Sequence, residues 1–273
     1  MRSQARRLGF GLATILGLSR RGFFIPYRHA GTVTPIGYPA LRPLFQAAEP
    51  RFRAVLDDIG AAARELDAIA AGDGPARFDQ DWFPRLDAAA AYAILRAHKP
   101  RRIVEIGSGH STRFLARAVA DGGLGTAITC IDPAPRAAIA LPGVRHLPSL
   151  LRDAPPELFA ALAARDVLFA DSSHLAMPGT DVDRIVLDLL PRFPPGVLVH
   201  IHDVFLPDPY PPEWAWRGYN EQLLVGALIQ GGAFELVFAS RYVAAYRPDW
   251  LGPVARLPLP SGAYETSLGL RKR

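Results

Sequence analysis

The sequence predicts an α/β fold: a doubly wound, mostly parallel sheet, preceded by an N-terminal helical arm and finished by a C-terminal antiparallel hairpin. Three observations predict it. From residue 101 onward, short apolar runs alternate with helix-length stretches, the pattern of crossover connections with helices on both sheet faces. The first apolar run empties into a glycine turn that leads straight into a helix. The last two runs are separated only by Ser240-Arg241, a hairpin spacing.

The elements follow in order. Leu8 to Leu18 is apolar and bracketed by Arg2, Arg6 and Arg7 on one side and Arg20 and Arg21 on the other. Eleven residues cannot span a bilayer, which takes about 20. A cleavable signal would want small residues where Arg20-Arg21 stands. The segment therefore reads as a helix packed on the domain or on a neighbour, with an interfacial helix on an anionic membrane surface as the sharper alternative. Residues 22–50, rich in aromatics, Pro and Gly, read as an irregular arm. Phe52 to Ala71 reads as a helix ended near Gly72 and Gly74. Pro84 to His98 reads as a second, with Leu86, Ala90, Ile94 and Leu95 as its buried stripe. Strands are expected at 103–106, 127–131, 144–147, 166–170 and 196–201. Helices are expected at 112–120, 156–164, 181–190 and 220–230. Phe234–Ala239 and Tyr242–Tyr246 would form the closing hairpin. Residues 1–80 are thus arm and helix, 81–250 the cofactor-binding domain, and 251–273 a peripheral tail.

Composition narrows the partners. Hydrophobic residues make up 49% and charged residues 21% of 273 residues, which is globular. The net charge of +5 invites nucleic acid, but the arginines are scattered and no basic run is interleaved with aromatics, so none is expected. Cys130 is the sole cysteine, which excludes an intrachain disulfide and a cysteine zinc site. That suits a cytoplasmic protein, membrane-associated if the arm docks, and a homo-oligomer is compatible with it.

Glu105-Ile106-Gly107-Ser108-Gly109 is the glycine turn. Glycine lets backbone or ligand approach closely, and the helix that follows can stabilise an anionic group. Ligands of open α/β sheets bind at the carboxyl ends of the strands. The next strand ends in Ile131-Asp132-Pro133, where an acidic residue can accept from ribose hydroxyls. This Rossmann-like spacing also suits NAD, but Thr112 stands where the dinucleotide pattern wants a third glycine.

Asp171 and His174 follow one expected strand, and His202 and Asp203 end another, so all four can converge on one cleft. Histidine is the natural base near neutral pH. His200, alternating with His202 along the strand, is expected in the core. The Pro- and aromatic-rich stretch Phe205 to Tyr219 reads as a lid or acceptor platform, or else as a packed surface loop.

The segment Glu105-Ile-Gly-Ser-Gly-His-Ser-Thr112 resembles motif I of class I S-adenosylmethionine-dependent methyltransferases, in particular the bacterial methyltransferase family 24 group. Asp171-Ser-Ser-His174, Val199-His-Ile-His-Asp203 and Trp216 to Gln222 support the resemblance, which covers roughly residues 80–247. It implies that Glu105, Gly107, Ser108 and Gly109 hold the methionine part of the cofactor and that Asp132 holds the ribose. Residues 149–152 would lie near the adenine, and Asp171 would border the cofactor. It also implies a divalent ion on Asp171 and Asp203. His202 stands where metal-dependent relatives often carry a carboxylate, which turns the set away from magnesium and toward manganese, iron or zinc. The implied activity is O-methylation of a small-molecule or glycan-like hydroxyl, with His202 or His174 as base and Asp203 beside them. A nicotinamide-dependent oxidoreductase and a non-catalytic binding or membrane-associated scaffold are the rival readings.

Overall fold

The computed structural model describes residues 2–273, with side chains from Ala5 onward. Seven strands form one sheet: β1 (Arg102–Ile106), β2 (Ala127–Ile131), β3 (Val144–Leu147), β4 (Val167–Ala170), β5 (Leu198–Ile201), β6 (Phe234–Ala239) and β7 (Leu268–Lys272). Their order is β3-β2-β1-β4-β5-β7-β6. The first five run parallel, and β7 is antiparallel to both β5 and β6. The order turns back between β1 and β4, which opens a crevice outside their carboxyl ends. β4 and β5 are buried along their whole length, as a sheet covered on both faces requires.

The helices are α1 (Arg2–Ile15), α2 (Arg42–Ala61), α3 (Ala63–Ala70), α4 (Arg85–His98), α5 (His110–Asp121), α6 (Glu157–Ala160), α7 (Asp181–Arg184), α8 (Leu190–Arg192), α9 (Glu221–Gln230) and α10 (Ser240–Tyr246), with a π turn (Ile185–Leu189) joining α7 to α8. On one face, Phe52 of α2 meets Phe238 of β6, with ring centroids 5.9 Å apart. Phe83, just ahead of α4, meets Phe114 of α5 and Phe169 of β4 at 6.2 and 5.6 Å. These contacts bolt the N-terminal helices onto the sheet, so the segment before residue 100 shares its core.

Four expectations change. Tyr242–Tyr246 is helical, not a strand. A five-residue apolar run fits either period. Helical spacing stacks Tyr242 on Tyr246 at 5.2 Å and on Phe45 at 5.4 Å. The antiparallel partner of β6 is instead β7, so the expected peripheral tail supplies a strand inside the sheet. The helix expected at 52–71 starts ten residues earlier, with Pro43 in its first turn, where its missing N–H costs nothing. It breaks at Ala62, so α3 is separate. The helix expected at 156–164 is a single turn, α6.

Candidate active site

The glycine turn brings two strand tips together. Gly107 has φ of 79°, and a Cβ there would stand 1.8 Å from the carbonyl oxygen of Asp171. Only glycine permits that approach. The amide of Asp171 donates to the Ile106 carbonyl at 2.9 Å, and that of Gly107 to Ile131 at 3.0 Å, so the tips of β1, β2 and β4 are tied together. The amide of Gly109 donates to the Thr112 hydroxyl at 3.0 Å.

Glu105 lies behind this turn, fully buried, and lines neither cavity described below. Its carboxylate accepts from Ser111 (2.6 Å), Thr112 (2.7 Å) and the Cys130 thiol (3.0 Å). Burial pushes its pKa up to about 7, even though those three donors favour the ionised form. Thr112, at the third-glycine position, thus ties the turn to Glu105.

In front of the turn lies a cleft of about 250 Å³, lined among others by Gly107, Ser108, Asp132, Ser149, Leu150, Leu151 and Asp171. Asp132 accepts from the amide and hydroxyl of Ser108 at 2.7 and 3.0 Å and from the amide of Ala134 at 2.7 Å. These bonds fix its carboxylate at the end of β2, on the cleft wall.

A second cavity, of about 110 Å³, opens at the tips of β4 and β5 and is lined by Asp171, His174, His202, Asp203 and Arg217, with Trp82, Trp214, Tyr219 and Tyr264. Asp171 and Arg136 line both cavities. His174 and Asp203 both have φ of 57°, in the left-handed region that non-glycine residues rarely enter. Such backbone costs about 1–3 kcal/mol per residue and clusters at functional sites.

Each histidine is held on its outer side by a buried carboxylate and faces the aspartates with its other nitrogen. His174 Nδ1 lies 2.9 Å from Glu221, at the start of α9, and its Nε2 lies 3.1 Å from Asp171 and 3.5 Å from Asp203. His202 Nε2 lies 3.2 Å from Asp87 of α4, and its Nδ1 lies 3.6 Å from Asp171 and 3.5 Å from Asp203. Asp87, itself fully buried, also accepts from the amides of Thr266 (2.9 Å) and Ser267 (2.8 Å). Burial opposes a charge on either ring. The surrounding carboxylates outweigh it and hold both imidazoles well above their ordinary pKa. Donor atoms of Asp171, His202 and Asp203 lie within 4.8 Å of one another, a spacing that could hold a metal ion.

Residues 104–204 match a family model described as a methyltransferase domain. That stretch, which runs from β1 to just past β5 and holds the glycine turn, Asp171, His174, His202 and Asp203, is similar to a methyltransferase domain. No curated protein matches the chain. Among solved structures, the S-adenosylhomocysteine-bound Podospora anserina methyltransferase PaMTH1 is 16% identical, with 92% of this chain and 99% of that one covered and a TM-score of 0.45. A Bacillus cereus O-methyltransferase in complex with S-adenosylhomocysteine is 16% identical, covering 81% and 91%, with a TM-score of 0.44. The Streptomyces achromogenes O-methyltransferase TomG, from tomaymycin synthesis, is 17% identical, covering 77% and 88%, at 0.43. At such identities the acceptor of each relative remains that relative's own.

The match favours the methyltransferase reading over the nicotinamide one. Within the domain, Gly107, Ser108, Asp132 and Asp171 share the first cleft, and Asp171, His174, His202 and Asp203 share the second cavity. Glu105 and Gly109 stand outside the lining of both. His200 is in the core, stacked on Phe169 at 4.0 Å, with burial lowering its pKa to about 3. Of the Phe205–Tyr219 stretch, Trp214, Arg217 and Tyr219 reach the second cavity, and Arg217 stacks on Trp214 at 3.9 Å. Sequence reasoning missed Asp87 and Glu221. The only hint of Asp87 was a lone acid in the first turn of an alanine-rich helix, which the helix dipole explains equally well. Glu221 likewise looked like an ordinary first-turn acid.

Proposed function

We propose that the protein transfers the methyl group of S-adenosylmethionine to a hydroxyl of a small-molecule or sugar-like acceptor. The cofactor occupies the cleft of Gly107, Ser108 and Asp132, and the acceptor occupies the cavity of His174, Trp214 and Tyr219. The observation that carries this reading is the wall shared at Asp171. A sulfonium in the first cleft would present its methyl group directly to the second, as an in-line displacement needs. The aromatic side chains around the second cavity suit a sugar or phenolic ring.

The residues divide the chemistry. His174 accepts the hydroxyl proton at Nε2, and Glu221 fixes its orientation through Nδ1. Three carboxylates favour the protonated form of His174, so offsetting the charge of Asp171 and Asp203 would help it accept a proton. Asp171, His202 and Asp203 fit a divalent cation. They offer two carboxylates and one imidazole, and Asp87 holds the outer nitrogen of His202 as metal-bound histidines are commonly held. Bound there, a cation would offset that charge and acidify the acceptor hydroxyl. One nitrogen in the set favours manganese, iron or zinc over magnesium.

Calorimetry with S-adenosylhomocysteine, alongside methyl transfer to a panel of phenols and glycosides with and without chelator, tests this. Asp132→Ala should weaken cofactor binding at least tenfold. Unchanged affinity refutes the ribose role, and transfer insensitive to chelator and to manganese refutes the cation site.

A further inference from the structure

The first 41 residues stand apart from the rest of the chain in charge. They hold Arg2, Arg6, Arg7, Arg20, Arg21 and Arg28 and no acidic residue; the first acid is Glu49. With 31 basic and 26 acidic residues in all, the remainder carries 31 − 6 = 25 basic against 26 acidic residues, a net charge of −1. The whole positive excess of the protein therefore sits on this arm. Its apolar content is equally concentrated. Twelve of the nineteen exposed large apolar side chains among the described residues lie between Leu8 and Ile36.

These side chains are arranged, not scattered. Leu8, Leu12, Ile15 and Leu16 follow helical spacing and form one stripe along α1, each at least half exposed. Arg6 and Arg7 lie off that stripe. Phe10, on the far side, is covered by the guanidinium groups of Arg6 (5.2 Å) and Arg21 (5.9 Å). The amide of Arg21 donates to the Thr14 hydroxyl at 2.9 Å, folding the following segment back along the helix. Beyond α1, Leu18, Phe24 and Ile25 are again exposed. Among the described residues, the first backbone hydrogen bond from the arm to the body comes only at Tyr38, to the Pro207 carbonyl at 2.8 Å. The body thus leaves the stripe uncovered. Among the described residues, no helix is long and apolar enough to cross a membrane.

We propose that residues 5–36 dock the enzyme on an anionic lipid surface, with α1 lying in the plane of the interface. The apolar stripe enters the acyl boundary and the arginines pair with acidic headgroups. Large uncovered apolar patches are rare on soluble monomers, which calls for an occupant. Charge selects it. A second copy of the body, at −1, offers little to attract a +6 arm, whereas an anionic lipid surface attracts every arginine.

The test is flotation of the full chain with vesicles of phosphatidylcholine, alone or with about 30% phosphatidylglycerol. The protein should float with the anionic vesicles, remain free with the neutral ones, and be released by about 0.5 M salt. Arg6→Glu/Arg7→Glu should weaken binding by more than roughly fivefold for each arginine, because each neutralisation alone is worth about that much. Leu12→Glu/Leu16→Glu should abolish it. Both variants should keep the melting temperature and the cofactor affinity of the parent, because the arm is not part of the body's core. Equal binding to both vesicle types, or none to either, overturns the proposal. So does a dimer in light scattering that Leu12→Glu/Leu16→Glu converts to monomer without any vesicle binding.

Discussion

Replacing Glu105 with Gln should change how the stability of this protein depends on pH. Glu105 is fully buried, and burial raises its carboxyl from the ordinary 4.5 to about 7. The unfolded chain releases that proton near pH 4.5, while the folded chain keeps it until about pH 7. Between those values the folded state binds more protons than the unfolded state, so stability falls as pH rises. The effect is fully developed above pH 7 and vanishes below pH 4.5. A tenfold change in proton affinity is worth about 1.4 kcal/mol, so the full penalty is about 3 kcal/mol, and roughly 2–3 kcal/mol of it falls between about pH 5 and pH 8. A glutamine at this position would keep the shape of the side chain without titrating, and the Ser111 and Thr112 hydroxyls can rotate to serve its amide. Urea unfolding of both proteins without cofactor, at those two pH values, gives the stability difference directly. That difference should move in favour of Glu105→Gln by roughly 2–3 kcal/mol on going from about pH 5 to pH 8. A difference that stays constant with pH would refute a protonated Glu105 in the folded state.

Other positions give sharper yes-or-no outcomes. Gly107→Ala places a Cβ 1.8 Å from the Asp171 oxygen, so it should fold poorly or lose cofactor binding in calorimetry, and normal affinity would show that the strand tips can part. Asp87→Asn sets an amide donor against at least one of the three groups that now donate to the carboxylate. At about 1–3 kcal/mol per orphaned buried donor, its melting temperature should drop by roughly 2–12 °C, and turnover should fall by about 10–100-fold as His202 loses its hold. His174→Gln should remove turnover at every pH while S-adenosylhomocysteine still binds with parental affinity, and retained turnover would transfer the role of base elsewhere.

Much of the first cleft was legible because it is local. The Gly107 turn, Ser108 and the β1 and β2 tips lie within about thirty residues, and strand period and turn chemistry act over that range. Asp171, His174, His202 and Asp203 were legible because residues just past parallel strand ends must face the same crevice. What was not legible depends on distant partners. Nothing near Tyr242–Tyr246 decides between strand and helix; Phe45, about two hundred residues earlier, does so by offering a ring to stack on. Leu268–Lys272 gains its place from a gap between β5 and β6 that no local pattern announces. The place of Glu105 in the motif is visible in the sequence, while its burial behind the turn is not, because that burial depends on Ser111, Thr112 and Cys130 closing over it.

The seat of His202 has a consequence for how the molecule assembles. Asp87 is bridged to Thr266 and Ser267 across separations of 179 and 180 residues, and it is Asp87 that holds the imidazole. Contacts so remote must wait for a very large loop to close, whereas the β1–α5–β2 unit needs only its neighbours. A refolding chain can therefore regain the cleft beside the glycine turn while the cavity around His202 is still open, and the interval between those two events is set by the arrival of β7.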